Sequence, residues 1–93
     1  MPKRGSQRTV PKTPEQVFAD VLRCVRQERG LSQEALGFES GYHRTYISML
    51  ERAQMNPSLK TILSLAAALN MPAAELVAKV ERALGGTWRR ESL

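Results

Sequence analysis

A chain of 93 residues is expected to form one small domain with a single core and no separate ligand-sensing unit. Its net charge of +5 suggests a polyanionic partner, yet the excess lies at the ends. Residues 1 to 12 carry Lys3, Arg4, Arg8 and Lys12 without an acid, residues 86 to 93 add Arg89 and Arg90 against Glu91, and residues 13 to 85 balance eight basic with eight acidic side chains, so bulk basicity cannot identify the partner.

Residues 1 to 12 are rich in proline, glycine, serine and basic groups, with Val10 the only sizeable aliphatic besides the initiator, and read as a disordered basic arm. Order is expected from Thr13. Thr13, Pro14, Glu15 and Gln16 supply an N-cap, a first-position proline, a first-turn acid and a capping-box glutamine. Helix one then runs to about Arg29 with Val17, Phe18, Val21, Leu22 and Val25 as its apolar stripe, and Gly30 closes it. Cys24, beside Val21 and Val25, reads as a small packed side chain.

Ser32 caps a second helix that turns Leu36 inward and ends near Ser40. Gly41, tolerant of positive φ, separates it from helix three, which lasts to about Ala53. At about 100° per residue, Arg44, Thr45, Ser48, Met49 and Arg52 share one face of helix three, while Tyr46, Ile47, Leu50 and Glu51 share the other. One face can pack and the other can read a DNA groove. After the link from Gln54 to Pro57, Ser58 caps helix four, whose Leu59, Ile62, Leu63, Ala66 and Leu69 recur at helical spacing, and Asn70 suits a left-handed end. Helix five spans about Pro72 to Leu84, and Gly85 with Gly86 breaks it. The architecture is therefore all-α: a basic arm (1–12), a five-helix domain (13–85) and a tail (86–93) containing a lone Trp88.

The chemistry-bearing residues follow from this placement. Arg44, in the first turn of helix three, can reach guanine O6 and N7 with both guanidinium nitrogens, a pairing worth about 1–3 kcal/mol of discrimination. Thr45 can bond a phosphate or touch a thymine methyl, and Met49 points toward the same groove. Gln33 opens helix two, where its amide and the unpaired N–H groups suit a phosphate oxygen. Tyr46 packs its ring and offers its hydroxyl to a phosphate, and Ser48 and Arg52 lie on the outward face as further phosphate partners. Lys3, Arg4 and Arg8 form a flexible arm able to follow the backbone or enter a minor groove. Val77, Val80 and Leu84 give helix five more apolar surface than a small core must bury and are candidates for a dimer interface.

From about Val17 to Val77 the chain resembles the phage-repressor type of helix-turn-helix domain, the prokaryotic xenobiotic-response-element family. The resemblance rests on RQERGLSQEAL (26 to 36), Gly41, RTYISMLER (44 to 52), NPSLKTILSLAAAL (56 to 69) and AAEL (73 to 76). The RTYIS run and the small size look like the controllers of restriction-modification systems. The resemblance implies a five-helix domain whose helices two and three form the motif, dimerising on a two-fold operator with helix three in the major groove. It places His43, Arg44, Thr45 and Met49 at base-facing positions, Gln33 and Asn56 at phosphate-contacting ones, and Arg26 with Glu51 in an internal ion pair between helices one and three. Four residues depart from the family pattern. Gly37 replaces the usual alanine at a helical cost of about 1 kcal/mol, which predicts a less rigid helix two. His43 stands where serine or threonine normally caps helix three, leaving that cap unassigned. Ala53 replaces a common glycine, and Met55 a common Arg or Lys.

No cluster of metal ligands, phosphate-cradling glycine loop or paired carboxylates points to catalysis, so neither an enzyme nor a cofactor is expected. With one cysteine, no apolar run near ~18 residues and no signal-like segment, the expected setting is the reducing cytoplasm, at the nucleoid, without membrane attachment or small-molecule ligand. The expected partners are double-stranded DNA and a second copy of the chain. The competing expectation is an antitoxin-like or coactivator-like interaction module in which DNA binding is secondary.

Overall fold

The computed structural model describes residues 12–86, which form five helices: α1 (Pro14–Glu28), α2 (Gln33–Ser40), α3 (Arg44–Glu51), α4 (Leu59–Ala68) and α5 (Ala73–Ala83). Lys3, Arg4, Arg8 and Trp88 lie outside the described residues. The local signals for starting and stopping helices act where the sequence places them. Thr13 and Gln16 close a reciprocal capping box, Ser32 and Ser58 each accept a backbone N–H from the first turn of their helix, and Gly30, Gly41 and Asn70 take the left-handed conformation. Pro72 immediately precedes α5, supplying its fixed φ but no side-chain cap. Ala53 also takes positive φ, at 59°, in the position where the family pattern has glycine.

One apolar core joins all five helices: Phe18, Leu22 and Val25 of α1, Leu36 of α2, Ile47 and Leu50 of α3, Leu65 and Ala66 of α4, and Leu76 of α5. Helix α2 lies against both α3 and α4, while α1 backs α3 and α5, so the short α3 is braced from behind.

The packing corrects two sequence expectations and gives a third residue a role. The inward stripe of α4 is Thr61, Leu65, Ala66 and, at its C-cap, Leu69, whereas Leu59 and Leu63 are 72% and 52% exposed. A helix with leucine or alanine at most positions gives little directional signal, and the polar Thr61 hid the true inward side. Cys24 is exposed rather than packed, its thiol facing the Glu28 carboxylate at 3.7 Å. Gly37 sits where α2 meets the turn and the start of α3. A Cβ there would stand 2.6 Å from the carbonyl oxygen of Tyr42 and 3.3 Å from the amide nitrogen of Arg44, so the missing side chain lets the two helices of the motif meet.

Candidate nucleic-acid interface

The site begins at the turn. Gly41 caps α2 with φ 84° and ψ 19°, and the Tyr42 N–H donates to the carbonyl of Gly37 at 2.8 Å, folding the chain sharply back before α3. His43 is then the N-cap of α3: its Nδ1 accepts the Thr45 N–H at 3.0 Å. The imidazole therefore does what serine or threonine does elsewhere in the family, provided Nδ1 is unprotonated. The cap that the sequence left unassigned is thus supplied by His43 itself.

The eight residues of α3 divide cleanly. Ile47, Leu50 and Glu51 are buried. Arg44 and Thr45 are exposed, as is Arg52 at the C-cap, and Ser48 and Met49 are half-buried along the same side. Among the described residues, the side chains of Arg44, Thr45 and Arg52 make no hydrogen bond or ion pair. Arg52 borders an open cleft shared with Lys12, Gln16 and Asp20.

Behind this face, the C-terminal end of α3 is held by charge. Glu51 receives Arg26 through two nitrogens, Nε at 2.6 Å and Nη2 at 2.9 Å, while Arg26 Nη1 donates to the carbonyl of Leu31 at 2.9 Å. Both side chains are buried, and donating to Glu51 raises the already high proton affinity of Arg26 against the opposing effect of burial, so the guanidinium stays charged. Gln33 adds its amide to the same carboxylate, Nε2 to Oε1 at 3.1 Å. The Gln33 side chain is thus tied to Glu51 rather than left free at the start of α2. Arg23, which the sequence did not single out, donates to the backbone carbonyl of Glu51 at 3.1 Å and is aligned by Asp20 at 2.8 Å. Asp20 also meets Lys12 at 2.6 Å. The Lys12 ammonium foremost, with Arg23 adding to it, holds the Asp20 carboxyl below its usual value of 3.8 against the opposing effect of burial.

The N-terminal end is held without charge. Tyr42 and Tyr46 stack at a tilt, ring centroids 5.0 Å apart, and both hydroxyls approach Thr61 of α4, at 3.0 Å and 3.4 Å. Tyr46 therefore packs its ring, as expected, and directs its hydroxyl toward Thr61. Asn56 is exposed in the link between α3 and α4. Among the described residues, no three His, Cys, Asp or Glu side chains gather closely enough to hold a metal ion, and no single helix is long and apolar enough to cross a membrane.

The dimer candidates separate. Val77 is 43% exposed, whereas Val80 packs against the core and Leu84 is half-buried at the C-cap of α5. Ile62, Val77 and Val80 line an apolar groove of about 160 Å³ floored by Phe18.

A family model described as helix-turn-helix matches residues 22–76. The control protein C.SmaI of Serratia marcescens is 40% identical over 65 residues, covering 70% of this chain and 77% of that protein. Among solved structures, the restriction-modification controller C.AhdI of Aeromonas hydrophila superposes with a TM-score of 0.65 at 47% identity, covering 67% of this chain and 94% of the controller. The controller C.Esp1396I, solved as a tetramer on its natural 35 base-pair operator, gives a TM-score of 0.73 at 25% identity, covering 78% of this chain and 96% of that one. Together with the turn at Gly41, the braced α3 and the five-helix core, these matches place the chain in the helix-turn-helix family of the phage-repressor, xenobiotic-response-element type.

Proposed function

We propose that the chain is a sequence-specific DNA-binding transcriptional regulator that acts as a homodimer on a two-fold operator, with α3 in the major groove. The observation that carries this reading is the two-sidedness of α3: every side chain on its inner face is buried or tied down, while Arg44, Thr45 and Arg52 stand exposed on the outer one. Arg44 and Thr45 would read base edges, with Met49 and His43 beside them. Ser48, Arg52, Asn56 and the N-terminal end of α2 would fix the phosphate register. Lys3, Arg4 and Arg8 would add salt-sensitive backbone contacts. Its relatives are regulators rather than enzymes. Regulation would follow protein concentration through dimerisation, within the cytoplasm at the nucleoid, and control of its own upstream region is the natural first case to examine.

For the dimer, the apolar surface left exposed on α4 and α5 favours Leu59, Leu63 and Val77 over the more deeply packed Val80 and Leu84. A dimer that reads half-sites ~10 base pairs from centre to centre must hold its two copies of α3 about 34 Å apart. Replacing Leu59 and Leu63 with lysine should weaken self-association by at least about tenfold, because each leucine loses ~1 kcal/mol or more of burial; analytical ultracentrifugation would measure it.

Footprinting on genomic fragments, including the protein's own upstream region, across salt concentrations and beside Arg44→Ala, tests the whole reading. Loss of sequence preference with residual salt-sensitive binding would support base readout by Arg44, uniform weakening would make it a phosphate contact, and absence of any protected site would refute the proposal. A second reading, an interaction module with DNA binding secondary, has one observation in its favour: Phe38 of α2 is 85% exposed. It leaves the polar outer face of α3 unexplained.

A further inference from the structure

Thr61 is 4% exposed on the inward side of α4, in line with Leu65 and Leu69. A hydroxyl among leucines is unfavourable unless it is bonded, and this one has three hydroxyl neighbours: Tyr42 at 3.0 Å, Ser58 at 3.0 Å and Tyr46 at 3.4 Å. A threonine hydroxyl donates once and accepts twice, so three partners fill its capacity. The Thr61 N–H in turn donates to Ser58 Oγ at 3.1 Å, which fixes the hub to the start of its own helix.

The partners matter because of where they sit. Tyr42 lies between the left-handed Gly41 and the capping His43, and Tyr46 is on the second half-turn of α3, so one α4 side chain reaches both the turn and the helix that follows it. Among the described residues, these are the only side-chain hydrogen bonds from α4 to the turn or to α3. The far end of α3 is anchored separately at Glu51. Eight residues of helix extend ~12 Å, so a tilt of ~10° about that anchor moves the Arg44 end by ~2 Å. A bidentate contact to a base edge does not survive such a shift, whereas long side chains reaching phosphates can follow it.

We propose that Thr61 is a positioning residue for base recognition, holding Tyr42 and Tyr46 and through them the angle at which Arg44 and Thr45 meet the bases. The proposal rests on the reading that α3 enters a DNA groove. Its test compares Thr61→Val, Thr61→Ser and Tyr42→Phe with the unaltered protein. Two probes are used: a duplex that the unaltered protein selects from a random-sequence pool, and a mixed-sequence duplex. Thr61→Val keeps the shape of the side chain but removes the hydroxyl. It should lower the preference for the selected duplex by ~10-fold while binding the mixed duplex within about twofold of the unaltered protein. Thr61→Ser should restore most of the preference. Tyr42→Phe should act in the same direction as Thr61→Val and should add little to it in the double variant, and it carries the test alone if Thr61→Val fails to fold. Undiminished preference, a parallel loss on both duplexes, or no rescue by serine would overturn the proposal and leave DNA recognition standing. An unaltered protein that selects no sequence would overturn both.

Discussion

The two ends of α3 are held by opposite chemistry. At the C-terminal end, Glu51 is buried and receives three side-chain nitrogen donors from Arg26 and Gln33, and its carbonyl takes a fourth from Arg23. At the N-terminal end there is an imidazole cap, a pair of tyrosines, a threonine hydroxyl and a glycine that admits close backbone approach. Neither charge at that end can be removed alone without leaving its partner unpaired in the core, so the pair fixes α3 to the domain. The neutral end consists of contacts of modest energy, each of which can change independently. That arrangement leaves the side chains of Arg44 and Thr45 without partners among the described residues while holding both ends of their helix.

Removing a charge should have the largest effect. Glu51→Ala leaves Arg26 buried without its partner and should destabilise the domain by ~3–5 kcal/mol. For a domain of this size each kcal/mol corresponds to ~4–8 °C in the thermal midpoint, so a fall of at least ~12 °C is expected by circular dichroism. A combined Arg26→Met and Glu51→Leu replacement should recover much of that loss, since two apolar side chains leave no ion stranded. If the double replacement were as unstable as the single one, the difference drawn between the two ends would not rest on charge.

At the neutral end the effects should be smaller and should fall on recognition before stability. Gly37→Ala gains ~1 kcal/mol of helix propensity but forces a Cβ to within 2.6 Å of the Tyr42 carbonyl, an overpacking that costs ~1–3 kcal/mol. A net loss of about 1 kcal/mol is expected in urea titration, with a larger fall in operator affinity because Tyr42 and Arg44 supply the displaced backbone. His43→Ala should cost ~1 kcal/mol by removing the acceptor for the Thr45 N–H, and His43→Ser should cost almost nothing. Equal losses from alanine and serine would show that the imidazole holds the turn by some other contact.

What the sequence disclosed follows from the range of the interactions involved. Caps and left-handed residues act within a few positions, and Thr13, Ser32, Gly41, Ser58 and Asn70 stand where local chemistry requires them. The outer face of α3 was legible because polar and apolar residues alternate there at helical spacing. The Arg26–Glu51 pair came from family resemblance, since nothing in the spacing of two residues 25 apart announces a contact. Three features were not legible. Thr61 was passed over as a polar position in an apolar run, although its place one turn before Leu65 and two before Leu69 was a signal that could have been used. Arg23 is invisible because its partner is a backbone carbonyl, which has no side-chain identity. His43 looked like a defect in a capping position, because its ability to accept through Nδ1 depends on a ring orientation that only the folded turn sets.

The smallest effect concerns how the charged end is reached from the chain's basic beginning. Asp20 bonds both Lys12 and Arg23, and these cations depress its carboxyl below 3.8. A folded-state value below the unfolded one contributes stability that is present in full above pH ~4 and disappears as the pH falls through the folded-state value. The groups are substantially exposed, so solvent and salt screen the pair and the contribution should be only ~0.2–1 kcal/mol. Asp20→Asn should therefore lower stability slightly at neutral pH, and the gap to the unaltered protein should close in acid and in high salt. Arg23 keeps its bond to the Glu51 carbonyl when Asp20 is neutral, so α3 should remain seated throughout. A loss well above ~1 kcal/mol at neutral pH would mean instead that Asp20 is what aims Arg23, extending the electrostatic grip on α3 out to Lys12.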